Sequence, residues 1–338
     1  MEVLILSAKI KDVAKKANVS IATVSRVINN VPLVNEETRD KVLQAIKETG
    51  YRPNAIARSL KLQKTETVGV VIHDITIPYY AQIARGVQDI SMQSGYNAII
   101  CNSDADNRKE EEFMDLFYQK QCDGIIFAGR ELNESVRRKF EYMNMPVILC
   151  GIEDREGEYS SVINDYDQAV YSLMKHLKVM GHKTVGLIHG DKKRAYNAKR
   201  NEEVMMATSK ELGMKINKNC VIDRDFTMKG GYLAMQEMLK GELPTVVVCG
   251  NDEMAVGAIR AIEESGMKVP EDISIASLNS CEVGRWISPN LTSINHYMYD
   301  VGAISARLLI KLLEGEELKE KKVIVSHGII DGESVKKL

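Results

Sequence analysis

Long apolar runs are missing from this chain: no 18 consecutive residues are predominantly hydrophobic, so no membrane-spanning helix is predicted. Met1 to Ala8 is hydrophobic but lacks the basic start and the length of a secretion signal, and the expected location is the cytoplasm. Cysteine is sparse and dispersed. Cys101, Cys122, Cys150, Cys220, Cys249 and Cys281 form no CxxC pair and have no neighbouring histidines, so reduced, buried thiols are expected rather than a metal site or a disulfide framework. His73, His176, His182, His189, His296 and His327 stand at no catalytic spacing. A Gly-rich phosphate loop, an HExxH helix, a nucleophile elbow and a Cys/His dyad are all lacking. An enzyme is therefore not expected, and neither a cofactor nor a metal is predicted.

The strongest positive signal is the stretch KIKDVAKKANVSIATVSRVIN, from Lys9 to Asn29. Ile10, Val13, Ala14 and Ala17 recur at helical spacing while Lys11, Lys15 and Lys16 face water, and Asn18 breaks the run. Ser20 can cap a second helix whose inner face is Val24, Val27 and Ile28. Its other face carries Ile21, Ala22, Ser25, Arg26 and Asn29, groups suited to base edges and phosphates. The pattern predicts a helix-turn-helix; the alternative is a plain helical hairpin with a solvated basic face. A third helix is predicted with Asn35 as cap, Val42, Leu43 and Ile46 inward, and Gly50 as its stop. Charge agrees. Lys9 to Leu62 holds 11 Lys+Arg against 5 Asp+Glu, a net of +6, which leaves −8 for the rest of a chain that sums to −2. Attraction to phosphate is thus confined to one end.

Beyond Thr67 the pattern alternates between Val/Ile runs and amphipathic helices: TVGVVIHD, YNAIICNSD, DGIIFAG, PVILCG, TVGLIHG, PTVVVCGND and DISIASLN. Runs of this kind joined by helices predict parallel sheets covered on both faces, here in two α/β lobes that change over near Asn164. Ligands of such folds bind beyond the carboxyl ends of the strands. The candidates there are Asp74, Asn102, Ser103, Asp104, Arg130, Asn251, Asp252, Asn279 and Ser280, with Tyr79, Tyr80 and Phe226 available to stack. An Asp or Asn after a strand is equally suited to capping the next helix, which is an even alternative for Asp104 and Asp252.

KIKDVAKKANVSIATVSRVIN, followed by ETRDKVLQAIKETGYRPNAIARSL, resembles the head and hinge of the lactose/galactose repressor family, and the likeness spans nearly the whole chain. It implies a helix-turn-helix head at 9–52, a hinge helix and linker at 53–64, and a core resembling the periplasmic binding proteins at 65–338. Lobe one would take 65–163 and 296–322, and lobe two 164–295 and 323–338. The implied partners are palindromic double-stranded DNA and a second copy of the chain, and the implied role is a repressor of carbohydrate genes. The residues carried over for DNA are Lys9, Ser20, Ile21, Ala22, Thr23, Ser25, Arg26, Asn29, Asn54 and Ala57, with Leu60 as the leucine that opens the central base step. In the cleft, Phe226 and Asn251 fall where sugar-responsive members bind ligand. An arginine of those members is replaced by Asn201, with Arg200 beside it, and Gly-Phe-Asp-Asp by Ser277 to Ser280, which argues against a standard sugar effector.

MYDVGAISARLL and AQIARGVQDI are similar to the docking helices of the catabolite control proteins, a branch of this family whose corepressor is the seryl-phosphorylated phosphocarrier HPr. Carried over, the docking residues are Arg85, Asp89, Tyr299, Asp300, Arg307 and Lys311. Arg307 and Lys311 stand one helical turn apart, as a phosphoserine pair requires. A scaffold role is the alternative, because Met298, Val301, Ile304 and Leu308 follow core spacing. A solute-binding protein would suit the core alone, but not the basic head.

Overall fold

The computed structural model describes residues 8–28, 32–51, 64–104, 106–129, 131–190 and 196–338, with the backbone alone for 196–198. Two compact units result, residues 1–66 and 67–338. In the first, α1 (Ile10–Ala17) begins where the Lys9 amide donates to the Asp12 carboxylate at 2.8 Å, and it ends at Asn18 in the left-handed conformation. A tight turn leads to α2 (Ile21–Ile28), where Ser20 Oγ accepts from the Thr23 amide at 3.0 Å. The third helix, α3 (Glu36–Thr49), is capped by Asn35 Oδ1, which accepts from the Thr38 amide at 2.9 Å, and stopped by left-handed Gly50. Val13, Ala14, Val24, Val27, Val42 and Ala45 close the core between them. Leu43 was expected inside but is 49% exposed; the turn of α3 places Ala45 inward instead.

The second unit holds two six-stranded sheets among the described residues. The first is ordered β11-β5-β4-β3-β1-β2 and is parallel throughout, from β1 (Thr67–Ile72), β2 (Asn97–Asn102), β3 (Gly124–Ala128), β4 (Val147–Cys150), β5 (Ser160–Asn164) and β11 (Lys322–Val325). Alternate strand residues serve opposite faces. Val70 and Ile72 pack under α4 (Pro78–Gln93) and α12 (Met298–Leu313), while Val71 packs under α5 (Asn107–Gln119) and α6 (Glu134–Met143). The second sheet is ordered β12-β10-β9-β8-β6-β7, from β6 (Thr184–Gly190), β7 (Lys215–Arg224), β8 (Val246–Cys249), β9 (Ser274–Ser277), β10 (Thr292–Asn295) and an antiparallel edge, β12 (Gly328–Ile330). It is covered by α7 (Tyr166–Val179) and α8 (Tyr196–Glu211) on one face, and by α9 (Met228–Met238) and α10 (Asp252–Glu264) on the other, while the short α11 (Glu282–Trp286) follows β9.

The lobe boundary expected at residue 322 moves. Lys322 to Val325 pair in parallel with Ser161 to Asn164 in the first sheet, so the chain crosses for the last time between Val325 and Gly328. All six cysteines are free thiols, and all but the partly exposed Cys281 are buried.

α4 and α12 touch backbone to backbone. A Cβ at Gly86 would lie 2.1 Å from the Tyr299 carbonyl oxygen, and one at Gly302 would lie 2.2 Å from that of Ile83. Gly302→Ala should therefore lower stability by roughly 1–3 kcal/mol, outweighing the gain of about 1 kcal/mol in helix propensity. Urea unfolding checks this, and a raised midpoint would contradict it.

On the other side of lobe one, Arg137 and Asp154 form a buried ion pair, and Arg137 also donates to Glu158 at 2.9 Å. Burial pushes the Asp154 carboxyl up, but the Arg137 hydrogen bond and backbone donors at 156, 158 and 159 outweigh it and hold the group at about 2. A depressed folded value stabilises the protein above the ordinary carboxylate range and loses that contribution as pH falls toward 2. The stability gap between wild type and Asp154→Asn should thus be constant near neutrality and narrow below about pH 4. A gap independent of pH in acid denaturation would refute it.

Candidate DNA face, cleft and docking face

The exposed face of α2 brings together most of the residues singled out in the head. Ile21 is 53% exposed, Ala22 and Arg26 are exposed, and Thr23 and Ser25 are partly so. Ser20 and Thr23 share a hydroxyl hydrogen bond of 2.9 Å in addition to the cap. Lys9 is exposed at the start of α1. Asn29, Asn54, Ala57 and Leu60, and Arg130 of the cleft candidates, lie outside the described residues. An exposed helix presenting Arg26 beside small neighbours can enter a groove closely and offer a planar, bidentate donor to a base edge.

Between the lobes, the strand ends carry polar and aromatic groups. Asp74 Oδ1 accepts from the Thr76 amide at 2.9 Å and hydroxyl at 2.7 Å, and Asn102 Oδ1 accepts from the Ile75 amide at 2.7 Å. Tyr79 and Tyr80 meet edge to face at 5.0 Å, and His73 lies 5.1 Å from Tyr80. Burial raises the Tyr79 phenol far above its ordinary range, and burial with Asp74 nearby pushes Tyr80 up to about 12. Both remain neutral hydroxyls at physiological pH.

Phe226, just after β7, lies over the ends of two strands of lobe two. A Cβ at Gly190 would sit 2.0 Å from its ring, and one at Gly250 would sit 2.7 Å away. Those glycines are what let the ring approach the ends of β6 and β8 so closely. Asn251 caps α10, its Oδ1 accepting from the Met254 amide at 2.9 Å. Asp252 is not a cap. Its carboxyl, raised by burial, accepts from the Cys281 amide at 2.7 Å and so fastens the segment bearing Asn279, which is partly exposed. Asp104 likewise cedes the capping role, here to Asp106, which accepts from the Arg108 amide at 2.9 Å. Arg200, expected in the cleft, donates to Asp167 at 2.9 Å on the exposed side between α7 and α8.

Two groups near the cleft, His189 and Tyr166, were not among the sequence candidates. His189 is buried, hydrogen-bonded at Nδ1 to the Gly190 carbonyl oxygen at 2.8 Å, with Nε2 3.2 Å from Glu202. Tyr166 stacks on His296 with centroids 5.7 Å apart. Asn201, the replacement for arginine, is buried. The available signal was a histidine ending an apolar strand, which composition alone does not separate from a core residue. Among the described residues, no His, Cys, Asp and Glu cluster could hold a metal, and no helix is long and apolar enough to cross a membrane.

The residues expected to dock lie on α4 and α12, which pack against each other. Arg85 Nε donates to Asp89 at 3.0 Å, and the Tyr299 hydroxyl reaches the same carboxylate from α12 at 3.3 Å. Asp300, Arg307 and Lys311 are exposed along α12, and Lys311 lies 3.9 Å from Glu316. Arg307 makes no ion pair with any described residue. The same helix buries Met298, Val301, Ala306 and Leu309, so scaffold and surface are opposite faces of one element.

A model described as bacterial regulatory proteins, lacI family, matches residues 9–54, and one described as periplasmic binding proteins and sugar binding domain of LacI family matches residues 65–328. The HTH-type transcriptional regulator RegA of Clostridium saccharobutylicum is 38% identical over 336 residues, covering 97% of this chain and 99% of that protein. Catabolite control protein A of Staphylococcus epidermidis is 38% identical over 327 residues, covering 96% and 98%. Among solved structures, the transcription regulator CcpA of Lactococcus lactis is 35% identical at a TM-score of 0.69, covering 80% of this chain and 99% of that one. The lac repressor dimer bound to operator and an anti-inducer shares the fold at a TM-score of 0.87 and 24% identity, covering 98% and 99%. With a helix-turn-helix head and a two-lobed core both matched along nearly its full length, the chain belongs to the LacI family and is a DNA-binding transcription regulator rather than an enzyme.

Proposed function

We propose that this regulator is a cytoplasmic, operator-binding homodimer of the catabolite-control type, whose affinity for DNA is raised when seryl-phosphorylated HPr docks on α4 and α12. The observation that carries this reading is the face made by exposed Arg85, Tyr299, Asp300, Arg307 and Lys311, with partly exposed Asp89 between Arg85 and Tyr299, across two helices in backbone contact. A phosphoserine brings a charge near −2 and several strong acceptor oxygens, and two cations one turn apart are the complement it needs. The similarity to catabolite control protein A supports the same reading. Docking acts on a helix whose inner face is lobe-one core, so a protein bound there can bias the angle between lobes. A palindromic operator matches a two-fold dimer that presents two heads.

A second reading is a small-molecule effector in the cleft, and it is favoured by the Phe226 ring lying across Gly190 and Gly250. Such a ring offers a stacking platform, while Asn201 in place of arginine and the missing carboxylate near Asn279 set this cleft apart from a standard sugar clamp.

Operator affinity at fixed salt, with and without seryl-phosphorylated HPr, separates the readings. The carrier should tighten binding, and Arg307→Ala and Lys311→Ala should each weaken that enhancement by roughly 10-fold or more while leaving affinity without HPr unchanged. No response to the carrier, with a response to a small sugar or sugar phosphate, would move the regulation to the cleft. In the head, Arg26→Ala should cost about 1–3 kcal/mol on the operator and flatten the preference over a single-base variant. Equal weakening on both sequences would show a phosphate contact instead.

A further inference from the structure

The chain passes between the lobes three times, at 164–166, 295–298 and 325–328, and one side chain of the first passage is bonded to both of the others. Asn164 ends β5, and its Nδ2 donates to the carbonyl oxygen of His296 in the second passage at 2.8 Å and more weakly to that of Val325 in the third at 3.4 Å. We propose that Asn164 is the pin of the interlobe hinge, a positioning residue that fastens the three passages together and sets how readily the lobes change their angle.

The surrounding contacts support a built junction. Tyr166, two residues on, stacks on His296, whose Nε2 is bonded to the Leu278 carbonyl oxygen at 3.0 Å. Asn295 Oδ1 accepts from the Tyr297 amide at 3.0 Å, and the Tyr297 hydroxyl lies over the third passage, 2.7 Å from where a Cβ of Gly328 would be. Both acceptors of the Asn164 amide are main-chain oxygens, so changing another side chain does not supply the missing donor. Aspartate at 164 would set a carboxylate against those two carbonyl oxygens, beside Asp165, and should loosen the junction more than alanine does. The consequence for operator binding rests on the lobe-angle mechanism proposed above; the hinge itself does not.

The test is a distance measurement between the lobes in the full chain, by spin labels on Tyr142→Cys and Val179→Cys, 75% and 72% exposed, with Cys281→Ser to remove the one partly exposed native thiol. Asn164→Ala should raise the share of molecules at a second interlobe distance by about fivefold, Asn164→Asp by more, and Asn217→Ala on the lobe-two surface not at all. Hydrogen exchange in β1 and β8 should stay at the wild-type level in each variant, which separates a loosened hinge from unfolding. Asn164→Ser serves if alanine or aspartate fails to fold. Wild-type distance distributions in every Asn164 variant would overturn the proposal. No operator or HPr enters this readout, so a wild type that ignores HPr would sink the docking reading and leave the hinge result standing.

Discussion

Two lobes that each close their own core are joined by three strands of chain, and the structure depends on what happens at those three passages. Each sheet is complete within one lobe, with its apolar faces covered by its own helices. Little hydrophobic free energy is therefore tied to one particular angle between them. What remains at the junction is polar: a few hydrogen bonds, one ring stack and buried groups of shifted acidity. His296, which burial lowers to about 4, stays a neutral ring at physiological pH and contributes shape and one hydrogen bond rather than charge. Interactions worth about 1 kcal/mol each are the right size for a switch, because a partner of ordinary affinity can outweigh them.

The proposed docking face and the Asn164 junction are linked through α12. This helix begins directly after the second passage, with Tyr297 in a left-handed conformation as its cap, and lies against α4 with glycine at both contact points. Such close contact leaves little room for slippage, so a partner bound at Arg307 and Lys311 would act on a rigid pair of helices rather than on loose side chains. The cleft offers a second lever on the same junction, since Tyr79 and Tyr80 start α4 and Asn279 hangs from the buried Asp252.

Much of this was legible in the sequence, and the exceptions are instructive. Local rules decided the head: Ser20, Asn35, Asn18 and Gly50 cap or stop the helices at the positions their chemistry favours, and among the described residues Leu43 departs from the expected inward face, because a helix face tolerates a shift of one position near its edge. In the core the Val/Ile runs marked the central strands. β7 went unseen because KINKNCVIDR is an edge strand, and its lysine, asparagine and aspartate guard an exposed rim. β5 was hidden by its serines, and the third passage was displaced by a few residues because pairing of Lys322 to Val325 with β5 is a long-range event. In the cleft, spacing could not choose between neighbouring acceptors, so the caps fell on Asp106 and Asn251 rather than on Asp104 and Asp252. Arg200 was diverted by Asp167, 33 positions away, and the Asn164 junction joins residues more than 130 apart. No local pattern reports such meetings.

A phosphorylated carrier protein, rather than a sugar in the cleft, is proposed to act on this regulator through α4 and α12. Hydrogen exchange of the full chain on its operator, with and without seryl-phosphorylated HPr, tests it most directly. Exchange should slow first in Pro78–Gln93 and Met298–Leu313, with smaller changes at the three passages. Protection at the strand ends alone, or none at all, would contradict it.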